Sequence, residues 1–158
     1  MRIVALDPST TAVGFCYGQD DVYIFGFQRT YRGQPEERLR AIFKDLLLYT
    51  EMVEVIAVEI PTGNHANRRT DRALSEVVGM IRALAYMRGQ QLIFVYPAQA
   101  KAALGHGSND KDQMIHAASL VTGRQIEGEH HADAIGIWLA ALGKLQTERI
   151  YQLANITP

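Results

Sequence analysis

Three apolar runs of strand length open the chain, joined by short polar turns, and helical and strand-like spacings then alternate; together these predict an α/β fold with a mixed sheet. Two of the apolar runs end in a lone carboxylate followed by a proline or a proline-led turn.

The first run, Arg2-Ile3-Val4-Ala5-Leu6-Asp7, gives way to Pro8-Ser9-Thr10-Thr11, with the turn expected to last to Gly14. Phe15 to Tyr17 continues as a strand, Gly18-Gln19-Asp20-Asp21 makes a hairpin turn, and Val22 to Phe27 returns, completing an antiparallel meander. Gln34-Pro35-Glu36-Glu37 reads as a helix start, and Leu39, Ile42, Phe43, Leu46 and Leu47 recur at helical spacing to about Thr50. Val53 to Ile60 is an apolar strand that delivers Glu59 near its end and is stopped by Pro61.

The polar segment from Thr62 to Thr70 leads into a long helix from about Asp71 to Met87, closed by Gly89. Gln91 to Tyr96 is a further strand, ended by Pro97 and a short helix through Lys101. The loop Gly105-His106-Gly107-Ser108-Asn109 precedes a helix opened by Asn109 or Asp110. A last helix is expected from about His130 to Leu145, leaving the tail from about residue 146 as the least informative part.

At 158 residues and 47% hydrophobic content, one domain spanning 1–158 with a sizeable core is expected. Sixteen basic and seventeen acidic residues leave a formal charge of −1, so nucleic-acid binding would have to come from a local patch. The single cysteine, Cys16, excludes an internal disulfide and a thiolate zinc cluster and reads as a small buried residue. No basic leader precedes a long apolar segment and no run reaches membrane-spanning length, so the expected location is cytoplasmic, with no membrane partner.

A carboxylate at the end of a buried strand is costly without a cation or a basic partner. Asp7 and Glu59 both occupy such positions, and Glu59 has no solvated face to explain it. The last helix opens Glu129-His130-His131-Ala132-Asp133, which places His130 and Asp133 on one face at a helix start that favours anions. Three carboxylates and one imidazole suit Mg²⁺ or Mn²⁺ better than zinc. Two such ions about 4 Å apart fit phosphodiester hydrolysis. Taken singly the members have bland readings: Asp7 as a turn-former, Asp133 as a first-turn acid, and either His130 or His131 as a cap or a solvent-facing group. Lys101 and Lys111 flank the glycine-rich loop, Arg68, Arg69 and Arg72 surround the start of the long helix, and Arg29, Arg32, Arg38 and Arg40 form another basic group. A solvated surface explains such residues by default, and phosphate contacts explain their clustering beside the acids.

Ala5-Leu6-Asp7-Pro8-Ser9-Thr10-Thr11-Ala12-Val13-Gly14 resembles the opening of RuvC-type crossover junction endodeoxyribonucleases, the Holliday junction resolvases of the ribonuclease H-like superfamily. Val58-Glu59, Pro97-Ala98-Gln99-Ala100-Lys101, Gly105 to Lys111 and His130 to Ile137 resemble that family in the same order along nearly the whole chain. The resemblance implies a ribonuclease H-like fold with a five-stranded mixed sheet flanked by helices. It further implies a homodimer, two Mg²⁺ ions per site with Mn²⁺ as a substitute, and paired nicks in four-way junction DNA during recombination and repair, with branch-migration machinery as a partner. By motif, Asp7, Glu59 and Asp133 match the catalytic and metal-binding acids, and His130 falls at a fourth ligand position. Lys101 and Lys111 match DNA-contacting lysines, Lys111 also serving transition-state charge, and the helix after Arg72 matches the dimer helix. The segment Ile60-Pro61-Thr62-Gly63-Asn64-His65 departs from the family, which often carries an aromatic there. Three alternatives stand beside this reading: a broader branched-DNA or RNA/DNA hybrid nuclease, an actin-like nucleotide-binding lobe, and a catalytically silent DNA-binding domain.

Overall fold

The computed structural model describes residues 1–61, 68–105 and 110–153, with the side chains of Arg68 and Arg69 outside that set. Its elements are β1 (Arg2–Pro8), β2 (Ala12–Gln19), β3 (Val22–Thr30), α1 (Pro35–Tyr49), β4 (Val55–Glu59), α2 (Arg68–Met87), β5 (Gln91–Val95), α3 (Pro97–Ala103), α4 (Lys111–Thr122) and α5 (Glu129–Leu153). The five described strands form one mixed sheet in the order β3-β2-β1-β4-β5. The first three are antiparallel neighbours, while β4 lies parallel to β1 and β5 parallel to β4.

Side-chain alternation along the strands divides the interior. Ile3, Ala5, Val55 and Ala57 join a cluster with Ile135, Ile137 and Trp138 of α5 on one face. Val4, Leu6, Ile56 and Val58 join Ile42 and Leu46 of α1 and Val77 and Ile81 of α2 on the other. Both faces of β1 are covered, which is why it reads as an unbroken apolar run. Cys16 is buried in the first of these clusters.

Several boundaries differ from the sequence expectation. The turn after β1 is shorter: Ser9 closes it by donating its N–H to the Ala12 carbonyl at 2.8 Å while its Oγ accepts from Ala12 N–H at 2.9 Å. β2 therefore begins at Ala12, and Gly14 lies inside the ladder opposite Asp7 instead of ending a turn. That glycine is demanded by packing, since a Cβ there would sit 1.8 Å from the His130 carbonyl oxygen. β3 runs three residues further than Phe27, to Thr30, and β4 is trimmed to Val55–Glu59. α2 begins at Arg68 instead of Asp71. α4 begins at Lys111 with Asp110 as its cap, its carboxylate accepting from Asp112 N–H at 3.0 Å. α5 continues to Leu153, eight residues past the expected end at Leu145, because neither glycine nor proline falls between Gln146 and Leu153. Its added turns carry exposed Ile150 and Leu153 and make no part of either buried cluster, so the apolar periodicity that marks a helix face fades there. Among the described residues no helix is long and apolar enough to cross a membrane.

Candidate active site

Asp7 and Glu59 sit at the same level of the sheet, each one residue beyond Leu6↔Val58, the last pair of the parallel β1–β4 ladder. Their side chains follow the alternation of Ala5 and Ala57 and so project toward α5. Asp7 is held almost fully buried, at 8% exposure. The start of α5 descends onto this spot because Gly14 leaves room for the His130 backbone. The His130 Nδ1–H then donates to Asp7 Oδ2 at 2.6 Å. Asp133, one turn along α5, enters the same neighbourhood.

Electrostatics tie the acids together. Burial, followed by the charges of Asp7 and then Asp133, pushes Glu59 up to about 8. Burial and then Asp7 raise Asp133 to about 6. The bond to Asp7 raises His130, against the burial that opposes its charge. Lys101 of α3 acts on both Glu59 and Asp133, favouring their ionised forms. The site therefore holds more buried negative charge than its own bases balance, and an all-oxygen set with one imidazole is the donor chemistry of a hard divalent cation. The residues present fit such an ion. Among the described residues no three His, Cys, Asp or Glu side chains converge as a metal shell. Asp7 is engaged by His130.

The two histidines have opposite fates. His131 points away from the acids, is 5% exposed, and its Nε2 lies 3.2 Å from the Tyr23 hydroxyl. Burial lowers its pKa. Neither histidine is a solvent-facing group.

The basic residues scatter more than the sequence grouping suggests. Lys111 forms an ion pair with Glu129 at the start of α5, a partner not assigned from sequence; their hydrogen bond, and then their charges, raise Lys111 and lower Glu129. Arg72 pairs with Glu76 one turn on at 3.1 Å, on an exposed stretch of α2. Arg29 pairs with Asp45 at 3.1 Å. Arg38 donates from Nε to the Thr10 carbonyl at 3.1 Å and from Nη1 to Gly33 O at 2.6 Å, bracing the turn that follows Asp7. Arg29 and Arg38 thus have structural partners, which a sequence cluster cannot reveal. The polar segment 62–67 and the residues 106–109 of the glycine-rich loop lie outside the described residues.

No family model matches the sequence, and no curated protein matches it. Solved structures do. RuvC of Thermus thermophilus in complex with Holliday junction substrate aligns over 92% of this chain and 96% of its own, with TM-score 0.76 and 20% identity. The chain has the RuvC fold. The yeast mitochondrial Holliday junction resolvase Ydc2 covers 94% of this chain and 82% of its own at TM-score 0.64 and 14% identity. The fowlpox virus Holliday junction resolvase covers 91% and 99% at TM-score 0.61 and 15% identity. The mixed sheet flanked by helices is thus the ribonuclease H-like architecture that the sequence motifs imply.

Proposed function

We propose that this chain is a metal-dependent endodeoxyribonuclease that resolves four-way DNA junctions as a homodimer. One observation carries the reading. Two strand-end acids and a helix-borne acid share one over-charged, half-buried site, in a fold shared with several solved Holliday junction resolvases.

In this reading Asp7, Glu59 and Asp133, with His130 as the fourth member, hold Mg²⁺ or Mn²⁺. When bound, two such ions supply an activated water and stabilise the leaving oxygen of a phosphodiester. The protein's own contribution is rigidity: Asp7 and Glu59 are fixed on adjacent parallel strands, and His130 holds one Asp7 oxygen by its Nδ1–H. In the same reading Lys101, whose charge acts on Glu59 and Asp133, and Lys111, which pairs with Glu129 at the start of α5, take backbone phosphates; Lys111 also serves the negative charge that develops during cleavage. Arg68, Arg69 and Arg72 at the start of α2 extend the DNA contacts.

The test is cleavage of an immobile four-way junction with and without Mg²⁺ or Mn²⁺, by the wild type and by Asp7→Asn, Glu59→Gln and Asp133→Asn. The wild type should make metal-dependent symmetric nicks. Each variant should lose at least about 100-fold in rate while still binding the junction, because the carboxylates serve metal and not DNA. Preferential cutting of an RNA/DNA hybrid, or equal cutting by Asp7→Asn, would overturn the reading.

A further inference from the structure

A second concavity lies between β3 and the connection that leads into α5. It has a volume of about 350 Å³ and is lined by Gly26, Phe27 and Gln28 of β3, by Gln125, Glu127 and Gly128 of the α4–α5 connection, and by His131. Its polar groups are two amides, a carboxylate and an imidazole. Among the described residues no lysine or arginine lines it.

That composition discriminates among the parts of a nucleic acid. A phosphate would meet Glu127 with no cation in the described lining to offset it, whereas amides and imidazoles donate and accept, and a carboxylate accepts, in the patterns that base edges present. Two of the groups are held in place. The His131 ring lies where a Cβ on Gly26 would stand, with its Nε2 2.3 Å from that point, and is further fixed by Tyr23. The Gln28 amide lies against Gly128, whose φ of +87° turns the chain there; a Cβ on that glycine would be 2.2 Å from Gln28 Oε1. Side chains held this way lose little freedom on binding a ligand.

The location is set by register. Asp7 pairs with Gly14, and Gly14 pairs with Gln28. Two strand spacings put Gln28 about 10 Å from Asp7, the span of about three nucleotide rises along one DNA strand. We propose that this cavity receives a nucleobase of the substrate, two or three nucleotides from the phosphate being cut, and reads its edge through Gln28, Gln125 and Glu127. The inference rests on the nuclease reading and deepens it, since it makes this cavity a determinant of where along the DNA cutting occurs.

The experiment pairs a change in the protein with a change in the DNA. Single abasic nucleotides are placed in turn at the three positions on either side of the cut, and cleavage is timed with the wild type, Gln28→Leu, Gln125→Leu and Glu127→Gln. One abasic position should slow the wild type about tenfold, and the same substitution should have little further effect on at least one variant, because the contact is already gone. A variant that fails to fold is replaced by Gln125→Ala, at an exposed position. Uniform response to every abasic position, or an abasic effect of equal size in all variants, would overturn the cavity assignment. Absence of cleavage by the wild type on intact junctions would instead overturn the nuclease reading.

Discussion

Glu59 shows what a single side chain is asked to do in this fold. Its neighbours in the strand are apolar and its nearest charges are two more acids, so its carboxyl ionises only near 8 in place of 4.5. The consequence for stability has a definite sign. Below about pH 4.5 the group is protonated in both folded and unfolded chains and costs nothing; between 4.5 and 8 the unfolded chain ionises freely while the folded one resists. Asp133 acts in the same direction between 3.8 and 6. The metal-free protein should therefore lose stability as pH rises from 5 to 8, by about 5 °C or more in melting temperature. Millimolar Mg²⁺ should restore most of that loss at pH 8, and Glu59→Gln should flatten the profile. Thermal melts across that pH range, with and without Mg²⁺, check this; a profile that Mg²⁺ leaves unchanged would count against an ion among these acids. Asp7 and Glu59 stand out in the sequence because each ends an apolar strand, and Asp133 because it shares a helix face with His130. The choice between His130 and His131 was not legible there, since adjacent helical residues differ by about 100° in direction and only the sheet beneath α5 decides which one faces Asp7. The Lys111–Glu129 pair was equally hidden, joining residues from two helices across a loop.

At the scale of elements, the site depends on how closely α5 can approach the sheet. Gly14 and Gly18 of β2 and Gly26 of β3 are the places where it does so, against the His130 backbone, the Trp138 ring and the His131 ring. Of these Gly14 is the least forgiving, because the group it faces is a carbonyl that cannot rotate away. Gly14→Ala should destabilise the protein by about 2–3 kcal/mol and move His130 off Asp7, lowering activity even in the fraction that remains folded. Denaturant unfolding together with the His130 imidazole titration by NMR tests both halves: a His130 pKa that stays raised would show that α5 keeps its seat. Most elements could be read from period and punctuation, as with Pro35 opening α1 and Gly89 closing α2 at φ +64°. The exceptions have a common cause. Gly14 looks like a turn residue and is a packing residue, and the last turns of α5 have helix-forming residues without a buried stripe. Local signals report backbone preference, whereas these two features are set by what lies across the interface.

For the molecule as a whole, near-neutral charge leaves docking to apolar surface, and α2 carries an exposed stripe of it. Val77, Ile81, Leu84 and Ala85 face the core, while Gly79, Ala83, Tyr86 and Met87 fall on the opposite stripe. Tyr86 is 90% exposed and Met87 82%, and a Cβ on Gly79 would meet nothing. A stripe with a large aromatic, a methionine and a glycine that permits close approach suits a twofold helix pair, where each residue meets its own copy or a near neighbour. The proposed homodimer is placed here, and it bears on chemistry: two sites joined through α2 can nick opposite strands of one junction before it dissociates, whereas a lone site releases a singly nicked product. Light scattering should give the wild type twice the 17.6 kDa of one chain at micromolar concentration. Tyr86→Glu should give the monomer, because symmetry would set two carboxylates against each other, and helical content should be unchanged since the side chain supports nothing within its own chain. On a closed junction the variant should still nick, with second-strand cleavage slowed about tenfold or more relative to the first. A wild type that is monomeric at every concentration, or a Tyr86→Glu protein that still dimerises and couples its nicks, would remove α2 from that role.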